Sequence, residues 1–164
     1  MMNEYIYIGK FVNTHGIRGE LRILSVFEYK EKVFKKGMNI YVGEQKELLT
    51  ISSYRPHKAF DMILLEGFTD INEVLKYKGL KIFVKRESMN LDKPYLIQDL
   101  VGMNVYCDDK YIGMIKDIMY NNANTLLSIN GEKNFLIPNV EYYIKAVDVK
   151  KNQVEVENIE GLMV

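Results

Sequence analysis

The chain has 164 residues, enough for one medium-sized domain or two small ones. Hydrophobic residues make up 48% of it and aromatic residues 12%, a composition that excludes wholesale disorder. The 22 basic and 22 acidic residues cancel, so the average charge carries no nucleic-acid signature. Residues 1–88 nevertheless carry 15 Lys and Arg against 11 Asp and Glu, whereas residues 89–164 carry 7 against 11. This asymmetry fits two domains that face different partners, and it also fits a compositional fluctuation.

Targeting signals and paired cysteines are absent from the sequence. No apolar run reaches 18 residues, and the first four residues lack the cationic start of a secretion signal. The single cysteine, Cys107, has no partner for an internal disulfide, which suits a reducing compartment. We therefore expect a soluble cytoplasmic protein with no membrane partner.

The first half of the chain predicts a small all-β barrel, because short apolar runs recur with turn signals between them. Six strands are predicted, over residues 5–12, 20–26, 39–42, 48–54, 62–65 and 81–84. The charged stretch 30–36 predicts a loop or a single turn that ends at Gly37. One short helix is also predicted, capped by Asp70 with Glu73 three residues later and ended by Gly79.

A linker is predicted at about residues 86–95, where a polar stretch precedes Pro94. It separates a domain over residues 1–88 from a second over residues 94–164. The second domain is expected to contain six strands, over residues 103–107, 111–119, 125–129, 134–137, 146–148 and 153–157. Polar turns are predicted at 108–110, 121–124 and 130–132, and Asn130-Gly131 alone is a strong hairpin signal. Residues 140–144 fit either a short helix or an irregular connection.

The most informative stretch is residues 9–20, where a two-glycine turn joins two predicted strands. Gly16 and Gly19 permit backbone angles that other residues rarely adopt, and they remove side chains from the loop surface. His15 and Arg18 would then project from a short loop, with Arg22 on the following strand. Taken alone, a Gly-x-x-Gly turn is more often an ordinary β-hairpin.

Three blocks of sequence give this turn a family context. Gly9-Lys10 followed by Thr-His-Gly-Ile-Arg-Gly-Glu at 14–20 resembles the opening signature of the RimM-type ribosome maturation factors. Asp-Leu-Val-Gly-Met-Asn-Val at 99–105 and Ile-Gly-Met-Ile-Lys-Asp-Ile at 112–118 resemble the start of that family's PRC-barrel domain. The short stretches at 136–138, 147–148 and 160–162 resemble the end of the same domain. The blocks occur in the family order and cover the chain almost end to end.

Two positions depart from the family pattern. The family often has an aromatic pair before the Asp-Leu-x-Gly block, whereas here Tyr95 is followed by Leu96. The residue after Pro138 is often aromatic, and here it is Asn139.

The resemblance implies an all-β protein of two small barrels, an N-terminal six-stranded RimM-type β-barrel and a C-terminal PRC-barrel. It implies a non-enzymatic assembly factor, a monomer without cofactor or metal. Such a factor would bind the head (3′ domain) of the immature 30S subunit, contact a head ribosomal protein and promote 16S rRNA maturation. The ribosome- or RNA-facing loop would comprise His15, Gly16, Arg18, Gly19 and Arg22. The candidates for the ribosomal-protein contact are Tyr95, Leu96 and Asp99, for which packing at the domain junction is an equal alternative.

Apart from the family resemblance, the residue types in this sequence favour binding over catalysis. Neither His15 nor His57 lies in a nucleophile motif, no phosphate-binding loop occurs, and no metal-ligand cluster is visible. The cationic residues near Gly16, together with a second basic turn at residues 55–58, could meet phosphates or simply form solvated loops. Two other functions stay open: an adaptor whose PRC barrel binds an unrelated protein, and an RNA-modifying enzyme that uses His15.

Overall fold

Two units make up the chain in the computed structural model, which describes residues 3–121 and 124–163. The first unit extends to Asn90, and the second begins at Leu91. This division lies inside the segment 86–95, where the sequence predicts a linker. That the two domains, 1–88 and 94–164, fold independently stays a prediction.

The first unit is a closed six-stranded barrel. Its strands are β1 (Tyr5–His15), β2 (Glu20–Leu24), β3 (Asn39–Val42), β4 (Glu47–His57), β5 (Phe60–Leu65) and β6 (Lys81–Lys85). They follow one another around the barrel in the order β1-β2-β5-β4-β3-β6, and every neighbouring pair is antiparallel. All six predicted strands are present, although β2 ends at Leu24 and not at residue 26 as predicted. β1 and β4 run further than predicted, because their polar ends stay paired with neighbouring strands as far as His15 and His57.

Alternation of apolar and polar residues accounts for the core of this barrel. On β6, Ile82 and Val84 are fully buried, while Lys81, Phe83 and Lys85 point outward between them. On β1, the inward residues Ile6 and Ile8 are equally buried. Each such aliphatic side chain stabilises the barrel by about 1.5–3 kcal/mol.

Two short helices complete the first unit. The charged stretch forms one turn, α1 (Lys30–Val33), as predicted. The second, α2 (Ile71–Val74), begins at the predicted capping box: the Asp70 carboxylate accepts a hydrogen bond from the Asn72 N–H at 2.8 Å. The Glu73 carboxylate in turn accepts one from the Asp70 N–H at 3.1 Å. A 3₁₀ turn (Leu75–Tyr77) extends the helix toward Gly79, whose φ of +87° ends it as predicted.

The second unit is a six-stranded sheet that also confirms the predicted strands. It contains β7 (Asn104–Cys107), β8 (Lys110–Tyr120), β9 (Thr125–Asn130), β10 (Asn134–Pro138), β11 (Ile144–Asp148) and β12 (Gln153–Val156). The order is β10-β9-β8-β7-β12-β11, in which β12 pairs parallel with β7 and the other pairs are antiparallel. The connection at residues 140–144 is an irregular turn that leads into β11. In the predicted turn 121–124, residues 122 and 123 lie outside the described residues.

One apolar core serves this whole sheet. Ile137 on one edge strand and Val147 on the opposite edge strand belong to the same cluster as Val105 in the middle. Two edges that share a core require the sheet to curl around it, which gives the predicted barrel-like architecture.

A close approach of two backbone segments shapes the β9–β10 hairpin predicted from Asn130-Gly131. Its loop has three residues, since Asn130 pairs with Asn134. A Cβ on Gly131 would lie 2.1 Å from the carbonyl oxygen of Ile112. Gly113, with φ of +149°, would place a Cβ 2.8 Å from the carbonyl oxygen of Asn130. Both glycines are therefore required by packing, in addition to any role in the turn.

Candidate functional site

The two-glycine turn forms the tip of the β1–β2 hairpin, which we call the hairpin tip (residues 16–19). His15 and Glu20 face each other across its base. Gly16 has φ of +72° and Gly19 has φ of +89°, left-handed values that favour glycine. The expectation that these glycines supply unusual backbone angles is confirmed.

The start of α2 fixes the hairpin tip. The Ile71 N–H is one of the donors that a helix leaves without an internal partner, and it donates to the Ile17 carbonyl at 3.0 Å. The backbone of Asp70 packs so closely that a Cβ on Gly19 would lie 3.1 Å from its carbonyl oxygen. The backbone of the tip is thus held in place, while its side chains are free to contact a partner.

An exposed apolar side chain stands beside an exposed cation at this tip. Ile17 is 83% exposed, although isoleucine is usually buried. Arg18 follows it and is also exposed. The sequence pattern predicts Arg18 as a site residue but not Ile17. The available signal was an isoleucine between two turn glycines, where a hairpin has no core to receive it.

The structure brings the second basic stretch, residues 55–58, into contact with the β1–β2 hairpin. β2 and β4 both pair with β5, and Arg22 on β2 and Arg55 on β4 lie opposite the same residue, Met62. The Arg55 guanidinium donates to both carboxylate oxygens of Glu20, at 2.8 and 2.7 Å. The rings of His57 and His15 have centroids 5.7 Å apart. The two basic stretches therefore form one continuous surface.

Hydrogen bonding and charge set the ionisation of this surface. The hydrogen bond from Arg55 holds the pKa of Glu20 below its usual value, against the smaller opposing effect of burial. Desolvation lowers the pKa of His57, and the charges of Arg55 and Lys58 lower it further. Glu20 therefore neutralises Arg55, which leaves Arg18 and Lys58 as exposed cations of this surface.

Arg22 is partly buried and supports His15. Its guanidinium lies 2.8 Å from His15 Nδ1 and 5.7 Å from the centre of the Phe60 ring. Because a guanidinium only donates, Nδ1 must accept, which assigns the ring proton to Nε2. Arg22 thus orients His15, whereas Arg18 is the side chain that extends into solvent.

An open depression of about 410 Å³ lies beside the hairpin tip. Most of its wall comes from the tip and from the ion pair next to it: His15, Gly16, Ile17, Arg18, Glu20, Arg55 and Leu64. It offers a partner both apolar and charged contacts.

The second-unit candidates lie together in one turn. Tyr95 is half-buried and packs against the second core, with the Lys93 ammonium 5.8 Å from its ring centre. The Asp99 carboxylate accepts a hydrogen bond from the Leu96 N–H at 2.7 Å, which closes the 3₁₀ turn Ile97–Leu100. The side chain of Leu96 is fully buried, so it offers a partner no surface and we assign it to packing.

Other side chains that could take part in chemistry have structural roles. Burial raises the pKa of the Cys107 thiol, which lies on β7 as predicted. Asp108 and Asp109 form the two-residue turn between β7 and β8, with φ of 50° and 64°. Within residues 3–121 and 124–163, no three His, Cys, Asp or Glu side chains are grouped to hold a metal. No helix in those ranges is long and apolar enough to cross a membrane.

Two family models match the chain in the order of its units. The RimM N-terminal domain matches residues 6–89, and the RimM PRC barrel domain matches residues 97–162. The chain belongs to the RimM family of ribosome maturation factors. The two-barrel fold class that the sequence resemblance implied is confirmed.

Curated relatives match over nearly their whole length. The ribosome maturation factor RimM of Exiguobacterium sp. is 36% identical over 167 residues, covering 98% of this chain and 97% of that protein. The protein of the same name from Streptococcus suis is 35% identical, covering 97% of each. The N-terminal domain of RimM from Thermus thermophilus, solved in solution, is 16% identical and covers 56% of this chain and 100% of that one. Its TM-score is 0.47.

Proposed function

We propose that this protein is a non-enzymatic assembly factor for the small ribosomal subunit. It binds the head (3′ domain) of the immature 30S subunit, contacts a head ribosomal protein and promotes 16S rRNA maturation. The observation that carries the proposal is the near full-length similarity to proteins named ribosome maturation factors. The proposed activity requires no cofactor, because binding alone is sufficient for it.

The hairpin tip is the proposed ribosome-facing element of the first unit. Arg18 can meet a phosphate, and Ile17 can bury its apolar surface against the partner. The backbone is already fixed by Ile71, so little conformational entropy is lost on binding. His15, Gly16, Gly19 and Arg22 serve this element by shaping the tip and orienting its base.

The turn around Tyr95 is the proposed contact with a head ribosomal protein. A tyrosine contributes apolar area and a hydroxyl while ordering few bonds, which suits an interface anchor. Asp99 holds this turn through the Leu96 N–H. Tyr95→Ala should weaken binding to the isolated head protein by about 1–3 kcal/mol, and Tyr95→Phe should lose less.

Tyr95 also packs against the second core, so folding must be measured on the same samples. A loss of binding with an unchanged melting temperature supports the interface role. Unchanged binding by a folded Tyr95→Ala protein removes Tyr95 from the contact.

The proposed mechanism is preferential binding to one assembly state. A factor that binds an immature head more tightly than the mature head lowers the free energy of the immature state and raises its population. Release follows when the matured head no longer presents the complementary surface. No covalent chemistry is needed for this effect.

Sedimentation on a sucrose gradient tests the proposal. The protein should travel with free small subunits and be absent from mature 70S ribosomes. Absence from every ribosomal fraction, combined with capture by an unrelated protein, would instead support an adaptor. Turnover of isolated rRNA that disappears in His15→Gln would support an enzyme.

A further inference from the structure

A second surface of the first unit combines aromatic rings with lysines on the outer faces of β1, β3 and β6. Along β6, Lys81, Phe83 and Lys85 alternate with the buried Ile82 and Val84. Residues two apart on a strand lie about 6.6 Å apart on the same face, so the two lysines stand about 13 Å apart with an aromatic ring between them.

Strand register extends this pattern sideways into an aromatic row. Tyr7 on β1 and Tyr41 on β3 both pair with Phe83 on β6, so one row of rings crosses three strands. Tyr5, two residues before Tyr7 on β1, pairs with Lys85. Ring centroids are 5.9 Å apart for Tyr7 and Phe83, and 5.3 Å apart for Tyr5 and Tyr41. Tyr7, the most open of these rings, is 39% exposed.

Lysine ammonium groups lie over these rings. The Lys46 ammonium is 4.2 Å from the centre of the Phe83 ring, and that of Lys85 is 5.3 Å from the Tyr41 ring. Lys46 has φ of 54°, a left-handed conformation that is unfavourable for a lysine. The β3–β4 turn thus accepts backbone strain at the residue whose charge reaches the aromatic row.

A like-charged pair adjoins the row. Lys10 on β1 lies directly opposite Lys81 on β6, and like charges in that position destabilise a sheet. Among the ion pairs that the described residues form, neither lysine takes part. The acidic groups that act on Lys85 are Glu4, 3.8 Å from its ammonium, and Glu87, while Glu44 and Glu47 flank Lys46 in the sequence. The opposed charges of Lys10 and Lys81 thus carry a cost to folding that an anionic ligand would relieve.

We infer that this aromatic–lysine surface binds single-stranded RNA. It comprises Tyr5, Tyr7, Tyr41 and Phe83 with Lys10, Lys46, Lys81 and Lys85. Bases stack on aromatic rings of a sheet surface whatever their sequence, and nearby lysines neutralise the phosphates. A protein partner fits less well, because lysine is depleted from the cores of protein interfaces. The inference rests on the proposed function only for the source of the RNA, an unpaired segment of precursor rRNA.

The test uses the full chain and a fluorescently labelled oligouridylate of about 12 nucleotides, with binding followed by anisotropy across a salt series. Tyr7→Leu keeps apolar area but removes the stacking face, and should weaken binding about tenfold. Tyr7→Phe keeps the ring and should bind as the original protein does. The double variant Lys10→Gln/Lys81→Gln should reduce the slope of log affinity against log salt by about 1.4.

A matched control removes two lysines elsewhere on the first unit. Lys35→Gln/Lys36→Gln changes exposed residues outside the surface and should leave affinity unchanged. Equal loss in both double variants would overturn the inference, since net charge alone would then explain binding. Failure of the original protein to bind the oligonucleotide at about 50 mM salt would also overturn it.

Folding and ribosome association are read on the same samples. If Tyr7→Leu lowers the melting temperature, the lysine variants provide the test of RNA binding, because removing opposed like charges does not unfold a sheet. A protein that travels with small subunits but ignores the oligonucleotide contradicts this inference alone. A protein that binds the oligonucleotide but never travels with small subunits contradicts the proposed function alone.

Discussion

The family blocks of the two units differ in where their residues lie. In the first unit, the block at residues 14–20 forms a hairpin tip whose Ile17 and Arg18 are exposed. In the second unit, the block at 99–105 includes Leu100, which is 1% exposed, and Asp99, which closes a turn. The first block presents a surface, whereas the second mainly builds the fold, since among residues 99–105 only Val101, at 46%, is exposed. Two blocks that are equally clear as sequence signatures can therefore have different roles in the protein.

The contrast changes where a partner of the second unit should be sought. Gly113 lies in the block at 112–118, and it is required because two backbone segments meet there. The exposed aromatic residues Tyr111 and Tyr142, at 52% and 63%, lie outside the family blocks. Tyr95, the proposed contact, also lies outside these blocks, so a partner of the second unit should be sought among such residues rather than among the motif residues.

Removing the close approach in the second unit should give the largest effect. Gly131→Ala would put a Cβ 2.1 Å from the Ile112 carbonyl oxygen, and only movement of the backbone can relieve that overlap. We expect a loss of about 3 kcal/mol or more in the free energy of unfolding, measured by chemical denaturation.

Gly161→Ala is the matched control, because a Cβ there meets nothing within 4 Å. It should change stability by less than about 0.5 kcal/mol. Similar stabilities for the two variants would contradict the packing explanation of this hairpin.

The glycines of the hairpin tip should give an intermediate effect. Gly19→Ala places an alanine at φ of +89° and a Cβ 3.1 Å from the Asp70 carbonyl oxygen, and should cost about 2 kcal/mol. Gly16→Ala is strained only by its φ of +72° and should cost about 1 kcal/mol. Urea denaturation of both proteins tests the order. A larger loss in Gly16→Ala would show that α2 does not brace the tip.

The exposed isoleucine should affect binding without affecting folding. Ile17→Ser removes apolar area that is already in water, so stability should stay within about 0.5 kcal/mol of the original. Association with immature small subunits should weaken by about 1 kcal/mol, or about fivefold, as measured by quantitative sedimentation. Ile17→Leu keeps the area and should bind normally. Normal binding by Ile17→Ser would leave the tip with a purely electrostatic role.

The smallest effect should be the pH dependence of the Glu20–Arg55 ion pair. The pKa of Glu20 is lower in the folded chain than its ordinary value of 4.5, because the carboxylate accepts hydrogen bonds from Arg55. The unfolded chain therefore binds the proton more tightly, so the pair stabilises the fold above pH 4.5 and loses this effect as the pH falls. Arg55→Gln should lower the melting temperature slightly at neutral pH and not at all in acid. An equal difference at both pH values would contradict this linkage.

Local signals made most of the fold predictable. The alternation of Lys81, Phe83 and Lys85 with apolar residues identifies β6, and Asp70 with Glu73 identifies the start of α2, because each pattern acts within a few residues. The ends of β1 and β4 were not predictable, since their pairing depends on strands distant in sequence. The parallel pairing of β12 with β7 is not predictable for the same reason.

The candidate site was only partly predictable. Sequence pattern identified Arg18 and the two glycines, which act locally. It did not join Arg55 to Glu20, which is 35 residues away, nor show that Arg22 turns inward to hold His15. The aromatic row likewise needs the register of three strands. Long-range geometry thus decides which cations stay available to a partner.

The central claim is that the hairpin tip contacts the small subunit while the second-unit motif maintains the fold. Binding to immature small subunits across a salt series, with melting temperature measured on the same Arg18→Ala sample, tests it most directly. The expected result is weaker binding and a salt slope reduced by about 1, with an unchanged melting temperature. Binding equal to that of the original protein at every salt concentration would contradict the claim.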